Sequence, residues 1–201
     1  MLLFLPVPLV LWLFTAAPLG PVASVLLGAA IIASHRLYAR PFALARAGRR
    51  CLLCGGSAGD GPTLEIEEPL GTTAWRACSE AHANALARVL ACAHLSRLPL
   101  KIGILGGLAV LLPGTLLAGA DRLGTLAHAD AAALFTLMVG AAVAPFGWLA
   151  LTHRSDPQGP ARLPFPVHIQ ALIGTRAVLW LFRIVGLVWL AQAARHAARL
   201  V

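Results

Sequence analysis

Apolar residues fall along this chain in long blocks, broken once by a polar stretch. Residues 2–34 are almost wholly apolar. As one helix they would run ~50 Å at 1.5 Å per residue, too long for a ~30 Å hydrocarbon core. The sequence "APLGP" at 17–21 breaks the block near its middle with Pro18, Gly20 and Pro21. Such residues stop or bend helices. The pattern predicts either a membrane hairpin of two short helices, about 2–17 and 20–37, or one kinked or tilted helix. No positive n-region precedes the first apolar run, and apolar sequence resumes at once as "VLLGAAIIAS". That favours an uncleaved membrane segment over a secretory signal.

The second half repeats the theme. Residues 102–120, "IGILGGLAVLLPGTLLAGA", read as a third span that Pro113 kinks. Residues 130–151 read as a fourth, with Pro145 near its inner end. After the Pro-rich loop "THRSDPQGPARLPFPV" (152–167), a last helix is expected over about 168–194. The glycines of "GILGG" and "LMVGAA" suit close helix contacts. Composition agrees with this reading. Of the 201 residues, 59% are hydrophobic and only 12% charged, with a mean hydropathy of +0.79. A soluble domain carries roughly 25% charged residues. The expected fold class is therefore an all-α multi-pass membrane protein of about five transmembrane helices, with a small insert in the polar stretch.

Nine of the sixteen basic residues lie between 36 and 101, as do five of the eight acids. The positive-inside rule assigns this stretch to the cytoplasm of a cell (plasma or inner) membrane. The domain expectation follows: a membrane hairpin at 1–37, a cytoplasmic module at 38–98, and three transmembrane helices within 99–201. Arg195 and Arg199 leave the side of the C-terminus open. The net charge of +8 comes almost wholly from Arg that is not interleaved with aromatics. Membrane orientation explains it better than nucleic acid does.

The polar stretch also holds all four cysteines: Cys51, Cys54, Cys78 and Cys92. Cytoplasmic thiols stay reduced, so metal binding is favoured over disulfides. The candidate ligands are Cys51, Cys54, Cys78 and His82, spaced C-x2-C-x23-C-x3-H. A CxxC turn lets two thiolates reach one ion, and Gly55 and Gly56 permit the backbone that such a knuckle needs. Cys78 and His82 share one helix face at i, i+4. Ser79 and Glu80 suit the start of that helix. Between the pairs, "TLEIEEPLGTTAW" alternates as a β-hairpin does. Four protein ligands leave no open position, so one structural Zn²⁺ is expected. Cys92 lies off the ligand face, and its pairing with His94 is a weak alternative to helix packing.

Knuckle, hairpin and then a helix completing the site resembles the treble-clef modules of the TRASH/YHS-like kind. Cys51, Cys54, Gly55, Trp75, Cys78 and Ser79 carry the resemblance, with His82 where those modules more often place Cys. It covers about residues 49–92 and implies a metal-binding module, structural or metal-handling.

Arg176 and Arg183 share a face of the last helix, and Arg183 sits deep in "LWLFRIVGLVWL". Charge there is costly. The two either hold a lipid headgroup or another anion, or snorkel to the interface. Trp12, Trp148, Trp180 and Trp189 read as interface belts or packing, and the scattered His as interfacial. No nucleophile motif, P-loop or Rossmann fingerprint is present. The leading expectation is a non-enzymatic membrane component. Its zinc module would dock a membrane or cytoplasmic protein partner, or support self-association. A metal-handling or metal-sensing accessory is the alternative. A membrane enzyme acting on a phosphate-bearing lipid, through Arg176 and Arg183, is a second.

Overall fold

The computed structural model describes residues 26, 29–30, 33–68, 71–117, 122–153, 161–162 and 168–199. Most of the expected 1–37 hairpin, its "APLGP" break and most of the 152–167 loop lie outside these residues. Among them, three helices are long and apolar enough to cross a membrane: Arg97–Gly114, His128–Leu149 and Thr175–Ala197. At 1.5 Å per residue they span about 27 to 35 Å, matching a hydrocarbon core.

A π-helical turn, His35–Ala39, runs into α1 (Arg40–Leu44). The hairpin follows as β1 (Thr63–Glu68) and β2 (Gly71–Arg76), antiparallel, with Leu64 opposite Trp75 and Ile66 opposite Thr73. Its alternation has a physical outcome. Ile66 and Trp75 are buried on one face, while Glu65 and Ala74 are exposed on the other. Helix α2 (Glu80–Leu95) starts at Ser79, whose hydroxyl accepts from the His82 N–H at 3.3 Å. Ser96 ends it, and α3 (Arg97–Lys101) restarts the helix at once. Pro99 falls in the first turn of α3, where its missing N–H has no intrahelical acceptor to lose. This candidate span therefore starts at Arg97, five residues before the apolar run at 102 suggests. It continues through a π-helical turn, Ile102–Gly106, into α4 (Gly107–Leu117).

Helix α5 (Arg122–Leu149) returns, and α6 (His168–Ile173) and α7 (Thr175–Ala197) close the chain. One expectation is corrected here. Residues 168–194 are not a single helix, because the chain breaks at Gly174, with φ +87° and ψ 145°. Side-chained residues rarely adopt that backbone.

Small residues set the packing of the bundle. A Cβ added to Gly103 would overlap Ala142 and the Met138 carbonyl. One on Gly186 would press on the backbone of Ala144. The helices thus meet backbone to backbone, as small-residue membrane interfaces do. Along the antiparallel α5–α7 pair, Phe135 meets Trp189 and Phe146 meets Phe182, at centroid distances of 5.4 and 6.1 Å. Asp130, at the start of the α5 span, pairs with His196 near the end of α7 at 2.8 Å.

The insert is not a separate globule. One apolar core runs from Ile66 and Trp75 through Leu86, Val89 and Leu90 of α2 to Leu100, Phe135, Val139, Phe146 and Leu179 of the bundle. A short strand, β3 (Ala161–Arg162), adds to the hairpin in parallel with Ile66 and Glu67 of β1, giving the order β2-β1-β3. The segment linking α5 to α6 is thereby stitched to the insert. The start of α3, the end of α5 and the start of α7 all lie at the insert's end of the bundle.

Candidate metal centre

Local chemistry builds the knuckle. Gly55 donates its N–H to the Cys51 carbonyl at 2.8 Å, and Cys51 donates to the Gly56 carbonyl at 2.8 Å. Gly55 takes φ +75°, the left-handed backbone that closes so tight a turn. Leu52 donates to the Arg76 carbonyl at 2.9 Å, fixing the knuckle to the end of β2. Cys78 follows β2 by two residues, and the Ser79 cap turns His82 back over it.

The result is a compact Cys3His group. One ligand atom from each of Cys51, Cys54, Cys78 and His82 lies within 4.8 Å of all the others. The Cys51 sulfur is 3.6 Å from His82 Nδ1, and the sulfurs of Cys54 and Cys78 are 3.9 Å apart. Tetrahedral Zn–S bonds of ~2.3 Å and Zn–N bonds of ~2.0 Å require separations of about 3.5 to 3.8 Å. The Cys78 sulfur and His82 Nδ1 stand at 3.0 Å, a direct hydrogen bond that must open slightly around an ion. The donor set can hold a metal and is compatible with zinc. Cys51 is buried, His82 half-buried, and Cys54 and Cys78 exposed.

The thiols are electrostatically unequal. Burial alone would raise Cys51. The backbone hydrogen bonds from Cys54, Cys78 and Leu53 and the contact with His82 outweigh it and hold the thiol down to about 6. Cys78 is pushed up to about 11 by desolvation and by the neighbouring sulfurs of Cys51 and Cys54, which disfavour a second negative charge beside them. At pH 7 Cys51 is therefore already mostly thiolate, while Cys78 must shed its proton to bind. A metal titration in buffers of different ionisation enthalpy should show a net release of protons at pH 7, because Cys78 gives up its proton to bind. Below about pH 6 Cys51 also binds a proton, so metal affinity should fall more steeply there than between pH 7 and 8. An affinity that does not change across this range would contradict the thiolate site.

Cys92 stands apart, buried on α2 with its sulfur 3.9 Å from Ser96 Oγ. Burial raises its pKa, as suits a packing thiol. His94, its weak alternative partner, is exposed at the end of the helix.

Sequence reasoning missed what the knuckle rests on. Leu52 and Leu53 offer their carbonyls to the first turn of α7. Thr175 N–H donates to the Leu52 oxygen at 2.8 Å, and Arg176 N–H to the Leu53 oxygen at 3.0 Å. The Thr175 hydroxyl adds a bond to the Leu52 oxygen at 2.9 Å and lies 3.2 Å from Gln170 Oε1, with both side chains buried. A helix start leaves four N–H groups unsatisfied, and the metal knuckle takes two of them. The one local signal was "IGT", a glycine stop followed by a hydroxyl residue.

Arg176 is exposed in that first turn. Arg183, two turns on, donates from Nε to the Gly147 carbonyl at 2.7 Å. Gly147 belongs to the last turn of α5, where carbonyls lack intrahelical donors. The Arg183 guanidinium also lies over Trp148 and Trp180, at 4.6 and 4.7 Å from their ring centroids. Arg183→Leu should therefore lower the stability of the detergent-solubilised protein by about 1–3 kcal/mol. Arg183→Lys should recover only part of it, because an ammonium lacks the planar stack. An unchanged thermal midpoint in Arg183→Leu would refute this clamp.

Comparison of the chain with known families, with curated proteins and with solved structures finds no match in any of the three.

Proposed function

We propose that the chain is a non-enzymatic, multi-pass membrane component built around one structural zinc. Its metal module, a treble clef of the TRASH/YHS-like kind, forms a rigid cytoplasmic platform for a protein partner. In this reading residues 1–37 supply two further spans, giving five. The observation that carries the proposal is the seat of the knuckle on α7 through the Leu52 and Leu53 carbonyls. An ion that holds Cys51 and Cys54 also holds the backbone between them. That backbone caps a membrane helix, so the metal orders both the platform and its attachment to the bundle.

The test is to purify the intact protein from membranes without added metal, then identify what accompanies it and measure its metal. One tightly held zinc per chain, together with a stoichiometric partner, supports the proposal. A metal-free, folded protein would overturn it. A second reading, metal handling, draws on the exposure of Cys54 and Cys78, which gives an exchanging ligand access to half the donor set. It predicts that zinc leaves to a chelator within minutes while the fold survives.

A further inference from the structure

Beside the knuckle lies an open cleft of about 340 Å³, lined by Arg46, Arg49, Arg50, Gly55, Gly56 and Ser57. No carboxylate lines it among the described residues. Arg46 and Arg49 bring two positive charges to its lining, and like charges beside one small space repel unless an anion joins them. A Cys3His zinc centre carries a formal charge of about −1, which offsets only part of the charge of Arg46 and Arg49.

The backbone adds donors. Arg50 and Ser57 face each other as an antiparallel pair whose hydrogen bonds are made by their neighbours: Cys51 N–H to the Gly56 oxygen at 2.8 Å and Ala58 N–H to the Arg49 oxygen at 3.1 Å. In a pair of that kind the residue's own N–H turns away from the opposite strand. The N–H of Ser57 is thus directed outward, and its hydroxyl stands on the same residue. Arg46 is held by stacking on Phe42, its guanidinium carbon 3.8 Å from the ring centroid. Stacking uses the face of a guanidinium and leaves its N–H edge for an acceptor.

The position favours a particular source of anion. Phe42 is also part of an exposed apolar surface with Leu37 and Tyr38, on the helical segment that leads directly to Arg46. Exposed apolar side chains next to clustered Arg mark the level where hydrocarbon gives way to headgroups.

We propose that this cleft is a phosphate-binding site, in which Arg46 and Arg49 grip a phosphate mono- or diester through charge-assisted hydrogen bonds and Ser57 completes the cradle. The phosphate belongs to a lipid headgroup or to a soluble ester, two sources with one chemistry. Neither Arg176 nor Arg183 lines the cleft.

The test uses the full-length, metal-loaded protein in a neutral detergent, titrated with inorganic phosphate, with dihexanoyl phosphatidic acid and with dihexanoylglycerol. Saturable binding of a phosphate probe is expected, with none of the phosphate-free diglyceride. Binding of phosphatidic acid alone identifies a headgroup site. Inorganic phosphate binding at least as tightly as phosphatidic acid identifies a soluble-ester site. The R46Q/R49Q double variant should bind at least about tenfold more weakly, while R97Q, removing an exposed Arg outside the cleft, should match wild type. Zinc content reports whether the knuckle is intact. If the double variant loses metal, R49Q alone decides the matter, since no hydrogen bond or ion pair of the Arg49 side chain is found among the described residues, and it should still weaken binding several-fold. Absence of saturable phosphate binding, equal binding of the diglyceride, or undiminished binding by these variants would overturn the proposal.

Discussion

Cys51→Ser is expected to abolish zinc binding and to unfold the polar half of the protein. Cys51 is the most buried ligand, at 1% exposure, and belongs to a buried cluster with Leu53, Ala58, Ala77 and Ala83. A serine hydroxyl stays protonated at neutral pH, so it cannot replace a thiolate that holds a metal. Structural zinc contributes on the order of 10 kcal/mol in small zinc modules. The insert's apolar core is short and shared with the bundle, so it has little to fall back on. The measurement is zinc per chain by elemental analysis, beside thermal unfolding in detergent. Cys92→Ser is the control. That thiol is buried on α2 but belongs to no cluster of ligands among the described residues, so zinc content should stay at one and the loss should be about 1–2 kcal/mol from placing a hydroxyl in an apolar site. Cys51→Ser protein with wild-type zinc and an unchanged midpoint would refute the site.

Gly174→Ala should have the second largest effect, although Gly174 is not itself a ligand. The residue sits at φ +87° and ψ 145°, where a side chain costs about 1–3 kcal/mol in backbone strain alone. Its new methyl would lie 2.8 Å from the Cys54 carbonyl carbon and 2.9 Å from the Gly55 nitrogen. Both atoms are knuckle backbone, with no flexible side chain to move aside. The knuckle must lift from α7, exposing the Thr175 and Arg176 N–H groups and loosening Cys54. Zinc affinity, read by competition with a chromogenic chelator, should fall by about tenfold or more, equivalent to ~1.4 kcal/mol. Gly48→Ala, at a glycine with nothing within 4 Å of the added methyl, should leave both stability and affinity within about 0.5 kcal/mol of wild type. If the two variants hold zinc equally well, the knuckle and the last helix are not coupled.

Together these variants separate two roles of one short segment. Cys51 and Cys54 act through their sulfurs, and Leu52 and Leu53 through their carbonyls. A fault on either side is expected to reach the other, because only a few backbone atoms lie between them.

The ligand group was legible in the sequence because each part has a local cause. A glycine after the CxxC allows the knuckle, alternation from Thr63 to Arg76 makes the hairpin, and Ser79 caps the helix that carries His82. The membrane class was equally plain, since apolar blocks long enough to cross a bilayer need no partner to be recognised. Other features have little or no local mark. Residues 168–194 read as one helix, with only "IGT" to hint at a stop, yet the chain breaks at Gly174, where the knuckle, more than a hundred residues earlier, supplies the new helix start with acceptors. Ala161 and Arg162 read as loop and become a strand only because the edge of β1 is there to pair with. Arg183 read as a charge seeking an anion or the interface, and finds a carbonyl at the end of α5. The sequence alone determined which residues can bind a metal and which segments can enter a membrane, because propensity, spacing and hydropathy act within a few turns of chain. Only the tertiary structure decided that the metal site and the last membrane helix are one unit, because that union consists of backbone hydrogen bonds, and every residue type carries the same backbone.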